Sequence, residues 1–233
     1  MSNMMGSMNI VWKRVTGVVF VTFQLLCCAT FVGCGDFWEG GDPVSATSMT
    51  LGRDTIDLMV GDRFKIPVMF APGEPANHSV WWDMDNEDVA VMAHDTVVAM
   101  TEGTTTAYAV SVSNQLEASC VVNVWPRWLD PYSEYPYDMV VYADITLYGQ
   151  PAADDIYVGA FWGNELRGVA RAMESQGRHY TVIRIWSDNE RGDILTFRHY
   201  DPDSARMVNH QAQLIFTGGA VGTPSEPYGL ALD

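Results

Sequence analysis

Residues 118–124 read Ala-Ser-Cys-Val-Val-Asn-Val, with small or apolar side chains at every second position. Side chains of a β-strand point alternately to the two faces of a sheet, so this spacing predicts a strand that is buried on one face. Similar short alternations recur before it at residues 56–60, 64–68, 80–82 and 89–91. Because no stretch of residues 47–124 sustains a helical period, the segment is predicted to fold as an antiparallel β-sandwich.

The same segment carries a set of motifs that identify a family. The motifs are Leu-Met-Val-Gly-Asp at 58–62, Val-Trp-Trp at 80–82, Asn-Glu-Asp-Val-Ala-Val at 86–91, Gly103 and Cys-Val-Val-Asn-Val at 120–124. Residues 47–125 resemble the group 2 bacterial Ig-like domain in these motifs and in their spacing. The segment departs from that family at residues 95–97 (Asp-Thr-Val), where the family usually turns on a glycine.

The alternation of side chains along the strand assigns opposite directions to the adjacent residues Trp81 and Trp82. Trp82 is predicted to be a large core side chain between the two sheets, and Cys120 is predicted to be a buried, inert thiol. Trp81 then faces the other side of its sheet, towards solvent or a partner. The alternative for Trp81 is that it packs under a loop or between two domains, since large apolar side chains are usually covered.

The second half of the chain is also predicted to be a β-sandwich, over residues 138–233. Alternating patterns return there, for example at 140–145 and 194–198, after a connection at 126–137 that is rich in proline and aromatic residues. Proline disfavours helix and central strand, and the aromatic content indicates that the connection packs against a domain.

A second family resemblance lies in this half. The matching stretches are residues 158–161, 165–168, 192–198 and 222–228. They are similar to a C-terminal domain that recurs in Bacteroidetes-type surface lipoproteins. The resemblance implies an all-β domain on an exported protein and implies no known chemistry.

The start of the chain has the order of a secretory signal. Lys13 and Arg14 precede an apolar run, and residues 29–34 (Ala-Thr-Phe-Val-Gly-Cys) resemble a lipobox, with Phe31 where Leu is usual. We predict a cleaved signal peptide at 1–33, a lipid on Cys34 and a flexible tether at 34–46. The alternative is a membrane-spanning helix, for which the run is shorter than the roughly 20 residues required. The resemblance implies an outer-membrane lipoprotein exposed at the cell surface.

The charge and cysteine content narrow the range of partners. The chain carries 13 basic and 29 acidic residues, for a net charge of −16, and removing residues 1–33 makes this −18. Such a charge repels nucleic acid phosphates and anionic lipid headgroups, so binding to either is not expected. Cys120 is the single cysteine beyond Cys34, which excludes a disulfide within residues 35–233.

Motifs of catalysis are missing from the sequence. It contains no Gly-Lys-Ser/Thr phosphate loop, no His-Glu-x-x-His and no Gly-x-Ser-x-Gly. The histidines have no metal-ligand spacing and are expected at the surface or at edges: His78, His94, His179, His199 and His210. The acidic run at 83–88 lacks the spacing of an EF-hand, although weak calcium capture by its carboxylates stays an alternative. We therefore predict neither cofactor nor metal, and no enzymatic activity.

Aromatic residues give the best indication of a binding site. Trp162 ends a predicted strand beside the Gly163-Asn164 turn, and Arg167 follows on the next strand. An exposed indole beside such polar groups can stack on a sugar ring or contact a protein. The predicted ligand contacts are Trp162, Asn164 and Arg167, with Trp81 as an accessory.

Three functional hypotheses follow. The first is a non-enzymatic surface lipoprotein, whose Ig-like domain is a spacer that presents the second domain for adhesion, glycan binding or surface assembly. The second is a small glycan-active hydrolase. The third is a structural subunit of a surface appendage, for which residues 229–232 (Gly-Leu-Ala-Leu) are the candidate donor strand.

Overall fold

The computed structural model describes residues 46–73, 77–132, 134–172, 174–175, 178–179 and 181–233. All regular elements within these ranges are β-strands, and they all belong to one compact unit. Nowhere in them is there an apolar helix of membrane-spanning length. The predicted signal peptide (1–33), the lipid site Cys34 and the tether, apart from its last residue, lie outside the described residues.

Nine short strands of the described residues build the first sandwich. They are β1 (Ser48–Leu51), β2 (Thr55–Met59), β3 (Arg63–Lys65), β4 (Val68–Ala71), β5 (Val80–Met84), β6 (Ala90–Ala93), β7 (Thr96–Ala99), β8 (Gly103–Ser111) and β9 (Glu117–Trp125). One sheet has the strand order β2-β9-β8-β5, and strands β1-β4 and β3-β7-β6 form the other layer. This is the arrangement of an Ig-like sandwich, which confirms the predicted fold class.

The alternating residues of the first sandwich fill its core as predicted. Cys120, Val122 and Val124 are buried on β9, and Ile56 and Leu58 are buried beside them on β2. Burial raises the pKa of the Cys120 thiol to about 11, with a smaller contribution from the charge of Asp54. Because only the thiolate reacts readily, Cys120 is the inert core thiol that the sequence predicts. Strand β2 pairs with β9 in the parallel direction, whereas the alternation predicted an antiparallel sandwich.

The other eleven strands among the described residues belong to the second half of the chain. They are β10 (Tyr137–Leu147), β11 (Gln150–Pro151), β12 (Tyr157–Trp162), β13 (Glu165–Arg171), β14 (Glu174–Ser175), β15 (Arg178–His179), β16 (Thr181–Ser187), β17 (Ile194–Asp201), β18 (Arg206–Ile215), β19 (Gly219–Val221) and β20 (Tyr228–Leu232). One layer has the order β13-β12-β17-β18, and in the other β10 pairs with β11, β16, β19 and β20. The predicted all-β fold is therefore confirmed for this half as well.

The last strand completes its own sheet. Residues Tyr228–Leu232 of β20 pair in parallel with Ala143–Leu147 of β10. Leu230 and Leu232 are fully enclosed in the core of the second sandwich. The candidate donor segment is thus used within the chain, and its apolar side chains already have their binding site.

A shared contact joins the two sandwiches. Met59, Trp128, Phe161 and Tyr200 form a small buried cluster between the two main cores. Beside it, the turn between β17 and β18 docks on β2: the Asp57 N–H donates to the Ala205 carbonyl at 2.8 Å. The loop thereby covers part of the exposed edge of β2, which would otherwise be open to pairing with another chain.

Polar contacts fix the same interface. The Tyr200 hydroxyl donates to Asp62 Oδ2 at 2.7 Å, and the Met207 N–H donates to Asp57 Oδ2 at 3.2 Å. Arg127 of the connection also reaches Asp62, at 3.2 Å from Oδ1. Each acidic acceptor belongs to the first sandwich and is satisfied by a donor from beyond it, so these bonds connect the two halves.

Candidate functional site

The hairpin between β12 and β13 carries the candidate site. Trp162 and Glu165 are paired across it, with Gly163 and Asn164 in the turn. Gly163 has a φ of 61°, a conformation that two-residue hairpin turns require and that glycine adopts without strain. The turn leaves Trp162 45% exposed at the end of its strand, above an open depression of about 600 Å³ that also borders Asn164 and Glu165.

Arg167 lies behind this surface as a stacked cation. Its guanidinium carbon lies 4.1 Å from the ring centre of Tyr135 and 5.1 Å from that of Trp162. An Arg cation over an aromatic face is attracted by the ring electrons, more strongly when both are desolvated. Only 1% of Arg167 is exposed, so the two rings and the surrounding strands cover it. The indole of Trp162 is consequently supported on one side by the guanidinium.

Two carboxylates neutralise the buried cation. Arg167 Nη2 donates to Glu165 Oε2 at 2.9 Å and to Asp188 Oδ2 at 3.2 Å. Within the described part of the chain, its Nε and Nη1 atoms have no hydrogen-bond partner. Because a buried charge is costly unless it is paired, the two carboxylates and two rings together are what makes this arginine tolerable.

A tyrosine from the connection closes the cluster. The Tyr135 hydroxyl donates to Glu165 Oε1, while its ring covers Arg167. Burial, followed by this bond to Glu165, raises the pKa of Tyr135 to about 12. The same bond, assisted by Arg167, lowers the pKa of Glu165. Tyr135 therefore stays protonated and Glu165 stays ionised at neutral pH, which keeps the arrangement intact.

Asn164 is oriented by a second arginine. Arg198 Nη2 donates to Asn164 Oδ1 at 2.9 Å, and the Arg198 guanidinium lies 4.2 Å from the ring centre of Phe161. With its carbonyl oxygen engaged, the exposed Asn164 side chain is left with its NH₂ group as a donor for a ligand. The indole and this amide lie on the same hairpin turn.

The connection packs along the second sandwich, as its aromatic content predicts. The Trp128 ring lies 5.4 Å from that of Phe161, and only 9% of Trp128 is exposed. Farther along, Asp130 Oδ1 accepts a hydrogen bond from Trp186 Nε1 at 2.9 Å. These anchors hold the segment against the sandwich on the way to Tyr135, so the connection itself contributes to the candidate site.

The structure brings together three of the four predicted contact residues. Trp162 and Asn164 are exposed on one turn, with Arg167 directly behind them. Arg167, which was predicted as a ligand contact, is 1% exposed and stacks behind Trp162. Trp81 lies apart from them on β5 of the first sandwich, 73% exposed. Its exposure agrees with the outward direction that the alternation assigned to it.

Sequence reasoning missed three members of the cluster. Glu165 had a local signal, because it stands two residues before Arg167, the spacing of strand residues that share a face; the β12–β13 pairing shifts its register between Leu166 and Gly168. Asp188 and Tyr135 had none, since both approach from segments distant in sequence. Trp82 differs too: it is half-buried and packs on the rim of the first core, where it borders a notch of about 540 Å³.

Two histidines form a buried pair that the sequence did not indicate. His199 Nδ1 and His210 Nε2 are 2.6 Å apart, the stacked rings are 4.9 Å apart, and both residues are at most 5% exposed. The expectation that all five histidines lie at the surface or at edges is therefore wrong for these two. The described residues contain no group of three or more histidine, cysteine or acidic side chains placed to hold a metal.

Comparisons with known proteins give distant likenesses only. No family model and no curated protein matches the chain. Domains 5–6 of the S-layer protein SbsC align over 76% of this chain and 99% of their own length, at 11% identity and a TM-score of 0.29. Domains EC1-4 of the protocadherin PcdhgB3 align over 80% and 50%, at 9% identity and a TM-score of 0.30.

A third likeness is to the Bacteroides ovatus protein SGBP-B of a mixed-linkage glucan utilization locus, solved with a mixed-linkage heptasaccharide. It covers 72% of this chain and 43% of that protein, at 12% identity and a TM-score of 0.23. TM-scores this low carry no argument about function.

Proposed function

We propose that the protein is a non-enzymatic lipoprotein of the cell surface whose second sandwich binds glycans through Trp162. One observation carries this proposal: an indole that is 45% exposed stands on a buried guanidinium at the tip of a hairpin. A large apolar ring in this position is normally covered. Here four other side chains form a cluster that holds the indole in place at the surface: Arg167, Tyr135, Glu165 and Asp188.

The chemistry of the turn suits a sugar ring. The free face of the Trp162 indole offers an apolar surface to the C–H face of a pyranose, and amphipathic rings of this kind favour such sites. The Asn164 NH₂ group can donate to a hydroxyl, and the ionised Glu165 can accept from one. Stacking fixes the plane of the sugar, and these hydrogen bonds fix its rotation in that plane.

Charge favours a neutral glycan over an acidic one. The positive charge of Arg167 is buried and offset by Glu165 and Asp188, so it offers little attraction to an anion. The chain as a whole has a net charge of −16. Uronic acid or sulfate groups would meet repulsion at this surface.

Anchoring would convert weak single contacts into firm attachment. In this proposal a lipid on Cys34 holds the protein to the membrane and the Ig-like sandwich raises the second one above it. A single aromatic platform gives low affinity, but many copies on one surface bind a polysaccharide with high avidity. The proposal requires no catalytic group, and the carboxylates of the cluster are already engaged with Arg167 and Tyr135.

The test is binding of the purified protein to an array of neutral and sulfated polysaccharides. Trp162→Ala should weaken binding to a neutral glycan by about tenfold, because aromatic stacking contributes about 0.5–1.5 kcal/mol beyond the area it buries. Trp162→Phe keeps a ring and should lose less. Trp81→Ala measures the accessory contribution predicted for the first sandwich.

Two results would contradict the proposal. Equal glycan binding by wild type and Trp162→Ala would show that the glycan does not bind at this hairpin. Hydrolysis of a polysaccharide that Glu165→Gln abolishes would replace the binding function with the hydrolase of the second hypothesis.

A further inference from the structure

Strand β5 of the first sandwich has an open hydrogen-bonding edge. Among the described strands it pairs with β8 alone. The bonds that flank this pairing run from the Val112 N–H to the Ser79 carbonyl and from the Asp85 N–H to the Thr106 carbonyl, each at 3.0 Å. Along an antiparallel pair, residues whose N–H and C=O groups bond to the neighbouring strand alternate with residues whose N–H and C=O groups point away from it. The N–H and C=O groups of Val80 and Trp82 therefore point away from β8.

A notch lies beside this open edge. Its volume is about 540 Å³. Ile66, Val68, Val80 and Trp82 form an apolar wall, and the polar side chains that line the rest are Lys65, His78, Ser79, His94 and Asp95. Trp82 is half-buried because the notch leaves part of its ring uncovered. Successive side chains of a strand added to β5 would point alternately into this notch and towards the opposite face of the sheet.

The outer face beside the edge is apolar as well. Trp81 is 73% exposed and stands opposite Val110, with the 45% exposed Tyr108 two residues along on β8. Natural edge strands are usually protected from pairing by lysine, proline or a bulge. Strand β5 reads Val-Trp-Trp-Asp-Met: it carries no lysine or proline, its pairing with β8 shows no register shift, and Asp83 is its one charged side chain.

Negative charge begins within β5 and continues past its end. Asp83, Asp85, Glu87 and Asp88 are exposed, and within the described residues no basic side chain lies within ion-pair distance of them. A segment that continues past β5 would meet these carboxylates. They favour lysine or arginine, and they disfavour a second copy of this chain, whose net charge is −16.

We propose that β5 binds an extended segment of a partner polypeptide by strand addition. The partner's backbone pairs with Val80 and Trp82, an apolar side chain enters the notch, and basic residues meet the run from Asp83 to Asp88. Backbone pairing supplies affinity in such complexes, and the pocket for alternate side chains supplies specificity. This surface is independent of the Trp162 hairpin.

The test begins with peptides selected from a random display library on the immobilised protein. Selected sequences should alternate apolar residues at i and i+2 and carry lysine or arginine at one end. Amide hydrogen exchange then locates the binding: the Val80 and Trp82 amides should gain protection from the selected peptide. The Trp81 and Asp83 amides, already bonded to β8, should change little.

Matched variants complete the design. Val80→Pro removes one free N–H and should weaken peptide binding at least tenfold, whereas Val80→Ala keeps the N–H and should lose far less. Proline is tolerated on the solvent side of an edge strand, and the exchange pattern of the wild type decides the matter if this variant does not fold. Trp162→Ala should bind the peptide like wild type.

Protection of amides elsewhere, selected peptides without the alternating pattern, or equal binding by Val80→Pro and Val80→Ala would each overturn the proposal. Loss of peptide binding in Trp162→Ala would show that the peptide also needs the Trp162 hairpin, and would contradict the independence of the two surfaces.

Discussion

Replacing His199 with Gln should remove much of the acid sensitivity of the second sandwich. Burial, with a smaller contribution from the charge of His210, lowers the pKa of His199 to about 4, from an ordinary value of 6.5. The unfolded chain therefore takes up a proton near pH 6.5, whereas the folded protein resists protonation down to about pH 4. Since the unfolded chain binds more protons in this window, stability is complete above it and is lost as the pH falls through it.

The size of the loss follows from this difference. One pKa unit corresponds to about 1.4 kcal/mol, so His199 alone lowers the free energy of unfolding by about 2 kcal/mol between about pH 7.5 and about pH 5. Burial also lowers the pKa of His210, and this adds a loss of the same sign. The Asp233 main-chain oxygen, 3.2 Å from His210 Nδ1, acts in the opposite direction.

Urea unfolding at the two pH values measures the effect. Wild type should lose about 2 kcal/mol more than His199→Gln between about pH 7.5 and about pH 5, because the contribution of His210 is common to both proteins. His94→Asn is the matched control, because His94 is exposed at the β6–β7 turn with a φ of 63° that asparagine tolerates. An equal pH dependence in wild type and His199→Gln would refute the reasoning.

Three further outcomes can be measured directly. Gly168→Ala should destabilise the protein by about 1–3 kcal/mol in thermal unfolding, since its Cβ would lie 2.3 Å from a carbonyl oxygen of β16. Gly229→Ala, with no atom within 4 Å of its Cβ, is the control and should change stability little. Tyr200→Phe should cost about 1.5–3 kcal/mol in urea unfolding, because it removes a hydrogen bond to the carboxylate of Asp62. Cys34→Ala should abolish labelling by a clickable palmitate analogue in cells, and undiminished labelling would exclude the lipid assignment.

Local periodicity predicted the parts of the fold that are themselves local. The alternation at residues 118–124 gives the buried face of β9 directly, because side-chain direction depends only on the backbone of that strand. The parallel pairing of β10 with β19 and β20 was not predictable in this way. Which strand lies beside which depends on contacts between residues about 80 positions apart, and no pattern within either strand encodes them.

The same distinction, between what a local pattern predicts and what depends on other segments, applies to the candidate site. The hairpin that exposes Trp162 and Asn164 was predictable because a tryptophan beside a Gly-Asn turn is a signal within four residues. The burial of Arg167 was missed because Tyr135, which covers it, comes from the connection. His199 and His210 were missed because their pairing depends on the register of β17 and β18, which shifts between Thr196 and Arg198. For Arg167 the missing information is the placement of a distant segment, and for the two histidines it is the register of neighbouring strands.

The contact between the sandwiches has a mechanical consequence. When two domains are joined by a flexible linker, the linker behaves as a random coil, and a small pulling force extends the linker before it loads either domain. Here Trp128 and Tyr135 are packed down, and Asp57 and Tyr200 bridge the two halves. Tension between the halves would reach these bonds after a short extension. A protein tethered at one end and attached to a polymer at the other would transmit force through this interface as through a stiff joint.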